Sequence, residues 1–360
     1  MLLPCGKGTH MKKLLDRIFI DGLTGMAQGL FATLIIGTII QQIGTYCGGN
    51  IGDLIFTLGK VAAGLTGAGI GAGVARKLDA GHLVIVSAAV VGMIGAFAGD
   101  VMSGDIVNDS SLVLSGPGEP LGAFVAAYIA IEIGILISGK TKLDIILTPL
   151  VCIGVGSAVG LLVGPPISGF MSWLGSLINW GTEQQPFVMG IVVSVLMGMI
   201  LTLPISSAAL GVILNLSGLA AGAATVGCCC NMIGFAVASF RENKFGGLLS
   251  QGIGTSMLQV PNIVRHPQIW IPPILSSAIL GPVSTMVFHM TNNATGSGMG
   301  TAGLVGPLMT WQVMTQTEPE MIVLVKIIVI QFVLPAVITL LISEFMRKKK
   351  WIHPGDMKLN

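Results

Sequence analysis

Apolar residues run along this chain in blocks of roughly 20, the length a helix needs to cross a bilayer, and Gly, Pro and charged residues punctuate the blocks. The pattern predicts spans at 27–46, 55–75, 82–101, 120–138, 145–164, 187–203, 272–289 and 321–345. Gly164-Pro165-Pro166 is expected to end the fifth of these. Before the first, Lys12 to Met26 places Leu14, Leu15, Ile18 and Phe19 on one side and Lys12, Asp16 and Arg17 on the other, which predicts an amphipathic surface helix. A second interfacial helix is expected over 167–182, where Phe170, Trp173, Leu174, Leu177, Ile178 and Trp180 fall at helical spacing.

Elsewhere the pattern loosens. Residues 205–239 are apolar but interrupted by Gly, Ser and Asn. Residues 246–262 are too short and too polar to span, and 291–310 is Gly-rich and polar within an apolar neighbourhood. These features give eight clear crossings and at most ten, with two re-entrant segments. The fold class is an all-α polytopic membrane protein with re-entrant hairpins and interfacial amphipathic helices.

Composition sharpens this. Of 360 residues, 52% are hydrophobic and 9% charged, too few charges to coat a water-soluble surface of this size. The 51 glycines lie inside apolar runs beside Ala and Ser, as in helices packed closely in lipid. Residues 1–10 read as an upstream extension or tail, because Met11-Lys12-Lys13 is the more natural start, and no cleavable signal peptide is visible.

The placement of charge sets the topology. Lys and Arg cluster at Lys12/Lys13/Arg17, Arg76/Lys77, Lys140/Lys142, Arg241/Lys244/Arg265 and Arg347 to Lys350. The alternate connections carry only acidic residues: Asp53, Asp100, Asp105, Asp109, Glu183, Glu318 and Glu320. The positive-inside rule then puts both termini of a multi-pass membrane protein in the cytoplasm. Between 187 outside and 241 inside the chain crosses an odd number of times. One crossing plus an embedded hairpin satisfies this as well as three short crossings.

Irregular backbone at membrane depth survives only where protein or a cavity surrounds it, so broken segments point to a transport site. Here they are 204–217, 246–262 and 291–310, and they carry Ser206, Ser207, Asn215, Asn231, Gln251, Asn262, Thr291, Asn292, Asn293, Thr295 and Ser297. Amides and hydroxyls both donate and accept, as a hydroxyl-rich solute demands. The same groups also serve as helix caps and interhelical bonds, so 291–297 as a cluster is the stronger expectation. Ionisable residues within spans are costly and mark functional candidates. Glu119 stands at the mouth of the fourth span and His289 just before the polar hairpin. Glu132 lies mid-span and needs a partner, for which Lys60 is one candidate. Lys326 can snorkel.

The run Cys228-Cys229-Cys230 reads as small buried side chains, since neighbouring helical residues point about 100° apart and cannot converge on one metal. GAGIGAG at 68–74 follows no strand, so it is not a nucleotide loop. No basic patch suggests nucleic acid. No metal, no cofactor and no enzymatic centre is expected.

Long motifs carry a resemblance: 118–134 (GEPLGAFVAAYIAIEIG), 138–150 (SGKTKLDIILTPL), 203–229 (LPISSAALGVILNLSGLAAGAATVGCC), 240–263 (FRENKFGGLLSQGIGTSMLQVPNI) and 290–306 (MTNNATGSGMGTAGLVG). From Met11 on, the chain resembles the EIIC-type membrane subunits of the phosphotransferase system, and more narrowly a branch associated with perfringolysin-regulator proteins. The resemblance implies a homodimer formed by the first half and a substrate cavity in the second. It thus divides the chain into a tail and amphipathic helix (1–26), a dimerising scaffold half (27–182), a substrate half (183–346) and a basic tail (347–360). The Gly-Ile-Thr-Glu motif of sugar-type relatives is absent: the matching hairpin reads TNNATGSGMG, without a carboxylate. Residues 351–360 are too few for an appended soluble domain, so any phosphoryl donor is expected to be separate EIIB and EIIA proteins.

The expected function is a permease subunit that moves a small polar solute (a sugar, polyol or sugar acid) by alternating access. The expected ligand contacts are Asn292, Asn293, Thr295, Ser297, His289, Asn231, Gln251, Asn262 and Glu119. A membrane sensor without flux, signalling through Arg241 to Lys244, is the alternative. A proton-coupled carrier using Glu132 and His289 is a third.

Overall fold

The computed structural model describes residues 15–104, 107–108, 111–112, 116–141 and 143–359. Lys12, Lys13, Asp105, Asp109, Lys142 and the tail 1–10 lie outside the described residues. The chain is an all-α polytopic membrane protein. Apart from a two-residue ladder pairing β1 (Val107–Asn108) with β2 (Ser111–Leu112), the described regular structure is helical. In lipid a helix satisfies its own backbone, which is why apolar blocks of this length take no other form. Among the described residues, six helices are long and apolar enough to cross a membrane, or seven if the pair Gly49–Gly64 and Thr66–Lys77, bent by 50°, counts as one span. The expected spans at 82–101 and 187–203 are shorter apolar helices, His82–Ala96 and Pro186–Thr202.

Contacts divide the chain into two compact units, one of residues 1–34 and 64–165, the other of 35–63 and 166–360. The first described helix, α1 (Arg17–Cys47), begins in the first unit and ends in the second. No break separates a surface helix from a first span, contrary to the sequence expectation. Neither Pro nor a left-handed residue stands near 26–27, and π-type turns at Arg17–Gly22 and Phe31–Ile35 keep the backbone bonded.

In the first unit α1 is followed by α3 (Thr66–Lys77), α4 (His82–Ala96), α5 (Ala98–Ser103), α6 (Pro120–Ile137) and most of the apolar part of α7 (Asp144–Thr182). The helices meet backbone to backbone: a Cβ on Gly25 would stand 2.6 Å from the Gly73 carbonyl oxygen. Small residues permit that approach, and it replaces the hydrophobic drive that lipid removes. Glu132 finds its partner here. Arg17 Nε donates to Glu132 Oε1 at 2.6 Å, so Arg17 and not Lys60 neutralises this carboxylate. A mid-span carboxylate needs a cation near it, and the path of α1 brings Arg17 there.

The expected span at 55–75 is broken at Leu65, leaving α2 (Gly49–Gly64) in the second unit and α3 in the first. Helical backbone also runs on past Gly164-Pro165-Pro166 instead of stopping there. Residues 167–182 behave as an amphipathic stretch: Leu174 and Ile178 are buried, while Phe170, Trp173 and Trp180 face outward.

The second unit is built on α8 (Pro186–Thr202), α10 (Gly218–Ala238), α13 (Pro267–Met286) and α16 (Glu320–Lys348). Helix α10 is the most buried of the spans. Its pairing with α8 is parallel: Gly227 lies against Ser194, Cys228 Sγ against the Met197 carbonyl, and Asn231 against Thr202. Helix α13 runs antiparallel to both, with Ser194 Oγ on Ser277 O and Thr285 Oγ1 on Pro186 O. Helix α16 is parallel to α10, since Thr339 faces Gly234 and Arg347 reaches Ala238. Parallel neighbours in sequence order force the intervening segment 203–217, with its short α9 (Ser207–Ile213), back over the length of α8, about 25 Å at 1.5 Å per residue. The chain thus runs along this length three times between 186 and 238.

Candidate functional site

Backbone breaks concentrate in the second unit. Among the described residues, six non-glycine residues have positive φ, and four of them lie in or beside its broken segments: Asn215, Lys244, His289 and Leu304. Such conformations cost energy and persist where the surroundings impose them.

Residues 291–310 form a re-entrant hairpin. It starts level with the head of α10, where Asn292 N donates to Gly218 O at 3.2 Å. It then descends through α14 (Ala294–Ser297) until Gly300 meets Cys228 and Thr301 meets Met232, in the middle of α10. It returns through α15 (Val305–Met314). A positive φ at Gly300 and at Gly303 makes the reversal, and Gly303 packs on Ile39 of α1.

A second broken segment rises from the other end of α10. It comprises α11 (Phe240–Leu249), a π turn at Ser250–Gly254 and α12 (Val260–Arg265). The two segments meet where Thr301 Oγ1 donates to Gly252 O at 2.5 Å.

Three polar clusters hold these breaks. In the first, Asn292 Nδ2 lies within hydrogen-bonding distance of Thr225 Oγ1 (2.8 Å), Thr310 Oγ1 (3.0 Å) and Gly306 O (3.2 Å), and Gln331 Nε2 donates to Thr310 from the π turn of α16 at 2.8 Å. In the second, Asn231 is the hub. Its Oδ1 accepts from Trp270 Nε1 at 3.0 Å and Thr202 Oγ1 at 3.2 Å, its Nδ2 faces Ser277 and the Gly227 carbonyl, and Thr202 pairs with Ser256 at 2.9 Å. In the third, Gln251, Gln259 and Asn262 form a chain of amides, 2.8 Å from each to the next.

The predicted residues are therefore divided. Asn292, Asn231, Gln251 and Asn262 are buried and spend their polar atoms on these clusters. Ser297 is buried and donates to the Ala294 carbonyl. Asn293 caps α14, its Oδ1 accepting from Gly296 N at 2.9 Å, while its Nδ2 meets only the soft sulfur of Met309 at 3.5 Å. Thr295 is exposed. His289 is exposed in a left-handed turn. Glu119 belongs to the first unit, where it caps α6 through Leu121 N. The three adjacent cysteines are fully buried, and Cys228 donates weakly to the carbonyls of Met197 and Ser297. Lys326 pairs with Glu318 at 2.7 Å.

Sequence reading passed over Thr202, Trp270, Ser277, Gln259 and Gln331. Only Gln331 carried a signal, as a lone amide inside the last span.

Beside the hairpin lies a cavity of ≈ 450 Å³, within the range of about 300–1,000 Å³ usual for small-molecule sites. Thr182, Gln184, Asn215 and Ser217 supply its polar edge; Met189, Leu214, Leu216 and Leu219 are among its apolar walls. Among the described residues, no charged side chain lines it. Its lining residues Ser217 and Leu219 flank Gly218, which pairs with Asn292 at the start of the hairpin. Of the predicted ligand contacts none lines it, although Asn215 of the broken segment 204–217 does.

The profile of the family described as "Phosphotransferase system, EIIC" matches residues 20–359. Neither a curated protein nor a solved structure matched the chain. A match over nearly the whole chain, on a helical membrane protein of this build, shows that the chain belongs to the EIIC family, the membrane permease subunits of the sugar phosphotransferase system.

Proposed function

We propose that this EIIC protein carries a neutral, hydroxyl-rich solute of sugar or polyol size, bound where the segment 203–217 and the hairpin 291–310 pack together. The observation that carries this reading is an uncharged cavity walled in part by the broken segment 203–217, which itself packs on the hairpin 291–310. Ser207 Oγ donates to Gly298 O at 2.6 Å, and Asn215 to Ala220 form one wall of the cavity. Apolar walls suit the C–H face of a sugar and amides its hydroxyls. A sugar acid fits less well, because no cation stands ready to meet its carboxylate. The narrower affinity to the perfringolysin-regulator branch remains part of this proposal.

Alternating access would move the second unit's broken segments between outward and inward arrangements. Phosphorylation of the solute would fall to separate EIIB and EIIA proteins. Both termini would be cytoplasmic and the protein a homodimer in a bacterial inner membrane. The topology is supported by Arg241, Arg265, Arg347 and Lys348 to Lys350 gathering at the ends of α10, α12 and α16, opposite Glu318 and Glu320.

The test is a thermal-shift screen of sugars, polyols and sugar acids on the purified protein, with Ser217→Ala and Asn293→Ala. Ser217 makes no side-chain cap bond to α10, so its loss tests the cavity without unsettling the helix. A neutral ligand at a hundredfold excess over its Kd should add about 2.7 kcal/mol of apparent stability. That gain should shrink in Ser217→Ala, and Asn293→Ala should abolish uptake in vesicles at unchanged expression. Full binding and uptake in both variants would place the site elsewhere.

A further inference from the structure

The residues that follow α16 are seated in a groove, and the permease site makes no use of it. Ile352 and Met357 are buried against Phe235, Ala238, Ile263, Ile269 and Met346. Asn243 holds the backbone at two points: its Nδ2 donates to Met357 O and its Oδ1 accepts from Leu359 N, both at 2.8 Å. An amide that bonds the carbonyl of one residue and the N–H of the residue two further on mimics a neighbouring strand. Gln259 Nε2 adds a second donor to Met357 O at 2.9 Å, and Asn262 Nδ2 donates to Lys358 O at 3.0 Å. The carboxylate of Glu242, itself held by Arg347 at 2.9 Å, accepts from Gly355 N at 3.4 Å. Backbone groups of 355–359 are thus read by side-chain amides and one carboxylate, with the buried Met357 as apolar anchor.

Two of these readers lie in the part of the broken segment, 250–263, that meets the hairpin. Gln259 donates to Gln251 at 2.8 Å, Gln251 to Ser239 at 2.9 Å, and the next residue, Gly252, accepts from Thr301 at the tip of the other hairpin. We propose that this groove is a peptide-binding site whose occupant is the chain's own 355–359 segment, and that the seated strap latches the broken segment 250–263. The groove reads backbone at four residues and buries two side chains of the segment: Met357, in the apolar cluster, and Asp356, whose carboxylate lies 3.7 Å from His266 Nε2 after α12. Met357 is the apolar contact of the two, so occupancy depends on it more than on its neighbours.

The test is hydrogen–deuterium exchange on the full chain, comparing the wild type with Met357→Asp, Met357→Leu and Asn243→Ala. Met357→Asp changes no groove residue, so it reports even if Asn243→Ala fails to fold. Expected in Met357→Asp is an exchange at least about tenfold faster over 353–359, with 250–263 loosening in step and 218–238 unchanged. Met357→Leu should behave as the wild type. If 353–359 is released while 250–263 keeps its protection, the strap is a passenger and the latch is refuted. If 353–359 stays protected in Met357→Asp, Met357 is not the anchor and the groove is misassigned. No solute enters the experiment, so its result is independent of the permease site proposed above.

Discussion

In the first unit, α1, α3 and α4 approach through glycine: Gly25 and Gly29 against Gly73 and Gly69, Gly71 against Ala88, Gly92 against Gly67. Its long-range side-chain bonding is sparse, with Arg17–Glu132 its salt bridge across distant helices among the described residues. The second unit also has close glycines, such as Gly227 against Ser194, but its breaks are tied by amides and hydroxyls. The difference follows from what each must solve. Unbroken helices in lipid satisfy their own backbones and need only shape, so small residues suffice. Broken segments expose N–H and C=O groups at depth and need side chains to answer them, at the cost of polar groups that lipid would reject.

The comparison breaks most sharply at Gly71. A Cβ there would collide with the Ala88 carbonyl, and helix backbone cannot yield as a flexible side chain can. Gly71→Leu should cost about 3 kcal/mol or more, read as loss of folded yield and thermal stability in detergent. A variant that folds like the wild type would show that the first unit is looser than its glycine contacts imply.

Next comes Asn292→Ala in the second unit, which strips donors from buried partners on α10, α15 and the hairpin. The expected loss is about 2–3 kcal/mol, with faster hydrogen exchange over 291–310 and none over 66–96. Equal loosening of both regions would erase the distinction between the units. A smaller effect is expected from Glu132→Gln, about 1 kcal/mol, since both partners are about one-third exposed. The double variant Arg17→Gln/Glu132→Gln should lie closer to the wild type than Arg17→Gln alone, because it leaves no unpaired charge. Smallest is Thr295→Ala, at an exposed position without a structural bond to lose. Its stability should stay within about 0.5 kcal/mol of the wild type, so any change in solute binding would report contact with ligand.

Much of this was legible in the residues. The broken segment 291–310 announced itself through Gly and Asn in an apolar neighbourhood, and it is the re-entrant hairpin of the structure. The roles of its side chains were not legible. Asn292 and Thr295 look equivalent in sequence, yet the first is consumed by Thr225 and Thr310 and the second faces outward. Glu132 plainly needed a cation, but Arg17 is 115 positions away, and only folding decides which distant cation arrives. The cavity, too, was out of reach, because its walls come from Thr182 to Met189 and from Leu214 to Ala220, which α8 and its return segment bring together.

By itself the sequence determined that this chain lives in a membrane as helices, where the helices break, and which family it resembles. Those properties follow from local composition: a run of apolar residues has one stable form in lipid, and glycine with polar residues interrupts it. Tertiary structure decided that α8 and α10 run parallel, that the breaks meet at Thr301 and Gly252, and which polar groups are spent and which remain open to a ligand. A hydrogen bond is a property of two positions in space, and an amide's neighbours along the chain say little about which partner reaches it first.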